Sequence, residues 1–544
     1  MKTYPLCFIF LLLCFSDKIY CQNIKDGTAA INADSLRKHI SVLASDDFQG
    51  RLPFTKGETK TINYLREQFK IAGLEAGNGK SYFQNVPMVS ILAIAAPTMH
   101  VQSPKGNFDL KAHDDYIIWT DKTDEHISID NTPLVFAGYG VVAPEYNWND
   151  YAGLDVRGKV VMVMVNDPGY ASGDPSFFKG TTMTYYGRWS YKFEEAARQG
   201  AKGCLIVHNT AAASYPFAVP QNNFNTSKLQ LDKRGKHEKN CDIIGWVTEQ
   251  AAQELLSKAG LDSGLLKKAH LRSFKAVDMH TTLSTTMHVQ STYKMSHNVI
   301  GKITGTKHSD EIIIYTAHWD HLGIGKPDEK GDSIYNGALD NASGTAGLLE
   351  LARAFKSLKT PPQRTIIFLS VTGEEQGLQG SSYYANNPVY PIRKTVGNIN
   401  MDVLNNFDKT HDMIVVGQGQ NDLEDILKEE AIKVGRYIGP ESHPEAGHYF
   451  RSDHFSFAKV GVPALDASGG IDVEGKGKEY GQKLKDDYTA KHYHRPSDEF
   501  DPNTWTMAGA VEDLKLYFLV GKRLAFSDKW PKWKATSEFK KLRR

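Results

Sequence analysis

From His297 onward the sequence alternates between apolar runs of strand length and segments with helical spacing: "NVIGKITG", "EIIIYTA", "GTAGLLELARAFKSL", "RTIIFLSVT", "NINMDVL", "DMIVVG". Few folds accept that order. Strands separated by helices pair in parallel, and a mostly parallel sheet must be covered on both faces. An α/β fold with a mostly parallel central sheet flanked by helices is therefore expected. Open sheets of this kind keep their ligands beyond the carboxyl ends of the strands. The stretch "YTAHWDHLGIG", Tyr315 to Gly325, has the matching texture, because an apolar run ends on two histidines and a carboxylate. On an extended chain residues i and i+2 share a face, so His318 and Asp320 would point together and Trp319 away. A His-x-Asp pair by itself is equally a surface hydrogen-bonded pair. What else the chain can bring to His318 decides between the two.

The remainder divides by texture. Residues from Ala33 to about Ser90 carry helical spacing in "DSLRKHISVLAS" and "KGETKTINYLREQFKIAGL", and Gly73 marks the end of the second helix. From about Pro133 short strands with glycine punctuation take over: "PLVFAGYGVV", "GKVVMVMVND", "GCLIVHN", "DIIGWVT". One amphipathic helix, "SYKFEEAARQGA", lies among them. The expected organisation is a leader over 1–21, an N-terminal part of the main domain over 22–132, an inserted β-rich domain over 133–289, and the α/β domain over 290–544. At 544 residues the chain is too long for one ordinary core.

The first residues, "MKTYPLCFIFLLLCFSDKIYCQ", place one early lysine before an apolar run of 11 residues, Pro5 to Phe15. That run is too short to cross a bilayer and suits the core of a signal peptide, with cleavage near Cys21–Gln22. The bulky Tyr20 argues against a lipid-modified Cys21. No later segment reads as membrane-spanning, so export to a periplasmic or extracellular space is expected. Lys+Arg 64 against Asp+Glu 63 gives a net charge of +1, which offers no electrostatic case for nucleic acid or an anionic membrane. Of five cysteines, Cys7, Cys14 and Cys21 fall in the leader, leaving Cys204 and Cys241 as packed thiols or a bridged pair. Neither reads as a nucleophile.

Candidate partners for His318 recur at the ends of successive elements. Asp340 precedes a helix in "NGALDNASGTAG", Glu374 and Glu375 follow a strand in "TGEEQGLQGS", Asp402 closes "NINMDV", and His494 lies in "HYHRPSDEFD". They are separated by tens of residues, which fits ligands carried on different strand ends rather than a local zinc knot. Two imidazoles and three carboxylates, one of them bridging, suit a pair of zinc ions about 3.5–4 Å apart. Each residue also has an ordinary role. Asp340 could cap its helix, and Glu374–Glu375 could be a solvated pair. Asp402 in an apolar run is harder to dismiss, because an unpaired buried carboxylate is costly. His321, His454 and His492 are as well placed as the chosen histidines.

Taken in order, "AHWDHLG", "GALDNASGTAGLLELARAF", "TGEEQGLQGSSYY", "NINMDVLN", "RSDHFSFAKVGVPAL" and "YHRPSDEFD" resemble the zinc-dependent aminopeptidases of peptidase family M28. The segment "LASDDFQGRLPFTKGETKTINYL" is similar to the entry segment of that family's exported members, and "VFAGYGVVAPEYNWNDYAGLDVRGKVVMV" resembles an inserted protease-associated domain. The resemblance implies two Zn2+ per chain: His318, Asp340 and Asp402 on one, and Asp340, Glu375 and His494 on the other, with Asp340 bridging. It implies Glu374 as catalytic base, Asp320 as the carboxylate orienting His318, and a cis peptide at Asp340–Asn341.

The function expected from these readings is removal of N-terminal residues from peptide substrates. No HExxH and no G-x-S-x-G occurs, so single-zinc protease and serine-hydrolase readings lack their motifs. A carboxypeptidase of the same fold remains an alternative and would need a basic pocket, to which Arg451 and Arg495 could contribute. A metal-free binding protein would have lost ligands that are all present here. A cyclising acyltransferase of related fold is disfavoured by the inserted domain. The sequence leaves the oligomeric state open.

Overall fold

The computed structural model describes residues 27–222, 224–236 and 238–543. The expected signal peptide, with Cys7, Cys14 and Cys21, lies outside the described residues. Among the described residues no helix is long and apolar enough to cross a membrane. The described residues form two compact units, one from residues 27–86, Met295–Glu441 and 451–543, the other from Pro87–Lys294 and Ser442–Phe450.

In the first unit four strands pair in parallel, in the order Arg364–Val371, His308–His318, Thr395–Asn400, Ala464–Gly469. The end of the long strand Val277–Ile303 runs antiparallel against Arg364–Val371, and Asp412–Val415 runs antiparallel against Ala464–Gly469. Period-two alternation between two covered faces explains why Ile312–His318, the second part of the strand His308–His318, is buried at every position. Ile312 and Ile314 enter one buried cluster with Leu369, Tyr384 and Phe457, while Ile313, Tyr315 and Ala317 enter the opposite one with Leu348, Phe355 and Phe518. Each such aliphatic side chain removed from water contributes about 1.5–3 kcal/mol.

The helices supply the facing surfaces. Ala33–Leu43 is capped by Asn32, whose side chain accepts the Ser35 N–H, and buries Leu36, Ile40 and Leu43 at helical spacing. Lys56–Ile71 starts at the Thr55 cap and stops before Gly73, whose φ of +76° is the left-handed conformation glycine tolerates best.

The second unit repeats the principle on a smaller scale. His126–Phe136, Val160–Met164, Gly203–His208 and Ile243–Thr248 pair in parallel. The helix Trp189–Arg198 covers one face through Phe193, Ala196 and Ala197, and Glu249–Lys258 covers the other through Ala252, Leu255 and Leu256. Cys204 and Cys241 are buried free thiols.

The expected boundary at 133 moves to 87. Residues 98–119 form three strands that pair inside this unit: Thr98–Gln102 against Phe108–Lys111 and against Thr282–Ser284, and Tyr116–Trp119 against Ile243–Thr248. Their inward residues Met99, Val101, Leu110, Tyr116 and Ile118 are buried in its core. Segment 442–450 also joins it, as the Met183 N–H donating to the Pro444 carbonyl illustrates. Local sequence texture carries no signal for such a return.

One buried cation ties the first unit together below its strand ends. The Arg51 side chain is almost wholly buried and donates to four carbonyls: Trp319 (2.8 Å), Leu43 (2.8 Å), Asn336 (2.6 Å) and Gly337 (2.8 Å). Burial pulls its pKa down to about 10, against the opposing pull of Asp498, Asp320, Asp340 and Glu375. The planar guanidinium fork suits such divergent acceptors, whereas an ammonium does not. Arg51→Met leaves those carbonyls unpaired and should cost about 3 kcal/mol of folding stability, with Arg51→Lys recovering only part. Denaturant titration checks this, and a wild-type midpoint for Arg51→Met would contradict it.

Candidate metal centre

Each candidate ligand is delivered by the end of an element. His318 is the last residue of its strand, Glu374 and Glu375 follow Arg364–Val371, and Asp402 lies two residues beyond Thr395–Asn400. His494 follows the helix Gly477–Lys491. Asp340 sits in the turn that opens into the helix Gly344–Lys356. All of these strands are parallel, so their carboxyl ends converge at one edge of the sheet.

The Asp340 turn is held from several sides. Leu339 and Asp340 donate their N–H groups to the two carboxylate oxygens of Asp498, at 3.0 and 3.1 Å. Asn341 donates to the Met401 carbonyl and accepts the Gly344 N–H. The Asp340–Asn341 peptide is cis. Gly337, at φ +52°, has no room for a side chain, since a Cβ there would lie 2.2 Å from the Asp340 carbonyl oxygen and 2.5 Å from the His321 ring. Two ligand segments also contain non-glycine residues in the left-handed region, Val403 at φ +59° and His494 at φ +57°. Such conformations are unfavourable, above all for a β-branched residue, and persist where the surroundings over-determine them.

This scaffold directs the two oxygens of Asp340 at two different imidazoles. Oδ1 lies 3.3 Å from His318 Nε2, and Oδ2 lies 3.3 Å from His494 Nε2. His318 Nε2 is also 3.2 Å from Asp402 Oδ1 and 3.9 Å from Glu374 Oε2. His494 Nε2 is 3.0 Å from Glu375 Oε2. The five predicted ligands thus form two groups that share Asp340, and Glu374 lies beside the first.

Burial opposes charge throughout, yet neighbouring charges overcome it for most groups. Against that penalty, Asp402 and Glu374 raise the His318 pKa well above 6.5, and Glu375 and Asp340 raise that of His494 to about 10. Against the same penalty His318 and His494 hold Asp340 well below the usual carboxylate range. Burial and Asp340 push the Glu375 value up, but His494 and His321 bring it down to about 2. Glu374 goes the other way. Burial, reinforced by Asp402 and Glu375, raises it well above 4.5 despite His318. Adjacent glutamates therefore differ in kind, one held ionised and the other disposed to keep a proton.

Asp320 departs from the expected arrangement. The strand ends at His318, so the two residues do not continue on one extended face. The nearest partner of His318 Nδ1 is the Asp320 backbone carbonyl at 3.1 Å, with the carboxylate at 3.8 Å. That carboxylate instead accepts the Glu374 N–H through Oδ1, at 3.1 Å, while Oδ2 is buried without a partner. Burial lifts the Asp320 pKa to about 7.

Several contributors were not singled out from sequence. His321 Nδ1 lies 2.5 Å from Glu375 Oε1, which makes this histidine part of the centre. Ser452 donates to Asp402 Oδ2 at 2.6 Å and accepts from Asn400. Asp498 and Arg51 hold backbone rather than ligands. The motifs "SDHF" and "PSDEF" contain two of these residues, but nothing local tells a positioning carboxylate from a ligand. His492 and His454 turn elsewhere, to the Ser497 carbonyl and to Asp466.

The donor set fits a divalent metal. His318, Asp340 and Asp402 offer one donor atom each within 4.8 Å of one another, and so do His321, Asp340 and Glu375. Imidazole nitrogen with carboxylate oxygen is a zinc-type donor set. Among the described residues, the ion pairs of Asp340, Glu374, Glu375 and Asp402 are made with imidazoles, not with lysine or arginine.

Residues 298–519 match the model of peptidase family M28. A probable zinc metalloprotease of Pyrenophora tritici-repentis is 37% identical over 107 residues, 20% of this chain and 21% of the relative. Aminopeptidase YwaD of Bacillus subtilis is 29% identical over 341 residues, 60% of this chain and 58% of the relative. The matched segments therefore span about a fifth of the fungal protein and somewhat over half of the Bacillus one. An aminopeptidase structure from Aneurinibacillus sp. strain AM-1 superposes with a TM-score of 0.50 at 20% identity, covering 93% of this chain and 97% of that one, which shows a shared fold. The matched residues 298–519 contain His318, Asp340, Glu375, Asp402 and His494, so it is this part of the chain that is similar to peptidase family M28.

Proposed function

We propose that this protein is an exported metallo-aminopeptidase that hydrolyses the N-terminal peptide bond of its substrates with two zinc ions per chain. The observation that carries the reading is the Asp340 carboxylate, whose two oxygens face different imidazoles. His318, Asp340 and Asp402 would hold one ion, and Asp340, Glu375 and His494 the other. Zinc bound there supplies Lewis acidity for a hydrolytic water and for the scissile carbonyl.

The chain's own groups do the proton work. Glu374 takes the proton of the attacking water and returns it to the leaving amine. Two features support that role: its carboxyl lies 3.9 Å from His318 Nε2, and its backbone is anchored on Asp320. Its upward-shifted pKa favours a group that holds and returns a proton. His321 orients Glu375, and Ser452 orients Asp402, so each would present one oxygen inward. The second unit is proposed to be a protease-associated domain that supplies no ligand, since every proposed ligand lies in the first unit. The carboxypeptidase alternative would need a basic pocket to which Arg451 and Arg495 contribute, and of these Arg495 is exposed.

Zinc-loaded protein assayed on aminoacyl amides beside N-blocked peptides tests the polarity. Hydrolysis of the free-amine substrates alone is expected, and preference for N-blocked peptides with acidic C-termini would overturn the reading. Glu374→Gln should retain about two zinc ions while losing roughly 2–4 orders of magnitude in turnover, the usual worth of an acid–base group. Glu375→Gln should lose zinc, with activity partly restored by excess metal. Metal content measured beside kinetics separates them, and the reversed pattern would exchange the roles.

Loading should also depend on pH. The raised His494 value, about 10 against 6.5, stabilises the metal-free fold below pH 6.5, a contribution lost as pH rises through about 10. Zinc needs the neutral imidazole, so its affinity should rise over the same range. Calorimetric zinc titration at pH 7 in buffers of different ionisation enthalpy should show about two protons released per chain. No release would contradict the protonated imidazoles.

A further inference from the structure

A second group of metal-ligating side chains lies in the other unit, outside everything described so far. His126 opens the strand His126–Phe136 and stands directly opposite His288 on the antiparallel strand Val277–Ile303. Their rings are 5.2 Å apart and tilted by 44°. The ladder type matters here. Val289 donates its N–H to the Glu125 carbonyl at 2.8 Å, so the bond brackets the His126–His288 pair rather than joining it. Residues paired in that way have Cα atoms about 4.5 Å apart and side chains at their closest approach on the same face. Glu125 adds a carboxylate, with Oε1 3.9 Å from His126 Nε2. One donor atom from each of the three residues falls within 4.8 Å of the others. All three residues are exposed, so water can fill the remaining positions.

We propose that Glu125, His126 and His288 form a surface site for a divalent transition ion of the imidazole-favouring class, copper(II) foremost. Two adjacent imidazoles pre-set by strand pairing act as a chelate, because the sheet has already fixed the backbone that separates them. Imidazole donors favour zinc, copper and nickel over magnesium and calcium, and copper(II) binds most tightly in that series. The site is independent of the buried centre, sharing no residue with it.

The test uses full-length protein already loaded with zinc and titrates copper(II) ion while zinc retention is followed by mass spectrometry. Electron paramagnetic resonance should report one further copper(II) per chain with nitrogen coupling from two imidazoles. That species should be lost in His126→Asn and equally in His288→Asn, and weakened in Glu125→Gln. The substituted side chains are exposed, and far-ultraviolet circular dichroism should show unaltered folding. Copper equivalents and spectrum unchanged in either histidine variant would overturn the proposal, as would loss in one variant and retention in the other. Copper taken up only as zinc is released would also overturn it.

Discussion

A single carboxylate serving two imidazoles is the constraint on which the arrangement of the centre depends. For both oxygens of Asp340 to be used, its backbone must sit between His318 on one side and His494 on the other. Those histidines belong to segments far apart in sequence, so the turn around Asp340 cannot be placed by its neighbours alone. Asp498 fixes its N–H groups, Asn341 ties it to the strand end at Met401, and Gly337 leaves the space through which it bends. Left-handed Val403 and His494 belong to the same compromise. A peptide chain adopts unfavourable backbone where several independent contacts demand it.

The electrostatics follow from that geometry. Bringing Asp340, Glu374, Glu375 and Asp402 into one buried place would be strongly unfavourable without compensation. The structure answers with imidazoles directly and with Arg51 at a distance, whose guanidinium is spent on carbonyls rather than carboxylates. Arg51 thus holds the segments that carry Trp319 and Gly337 while adding positive potential beneath the acids. A dication is the remaining element such a donor set calls for, and it would release the histidines from their roles as counter-ions. The contrast between Glu374 and Glu375 arises here too, because only Glu375 lies against two histidines.

Much of this was legible in the sequence because the period of its apolar residues is so regular. The run around Ile312–Ala317 could only be a strand covered on both faces, and the polar residues following it, and following the strands that end at Val371 and Asn400, marked one edge of the sheet. The five proposed ligands came from the family resemblance of the ordered motifs rather than from spacing or any local pattern. What stayed hidden depended on contacts between distant segments. Arg51, Asp498 and Ser452 were not singled out, because their partners lie far off in sequence, and His321 could not be ranked against His318 from spacing. The start of the second unit was missed because Thr98–Gln102, Phe108–Lys111 and Tyr116–Trp119 are short strands, with partners as distant as Ser284 for His100, 184 residues away. The fate of Asp320 was missed for a simpler reason, since extended geometry stops one residue after His318.

The central claim is that Asp340 is shared between two metal ions. Diffraction from zinc-loaded crystals, recorded on both sides of the zinc absorption edge, tests it most directly. The account predicts two anomalous peaks, each in contact with a different oxygen of Asp340, one flanked by His318 and Asp402 and the other by His494 and Glu375. A single peak, or a pair in which Asp340 touches only one ion, would contradict it.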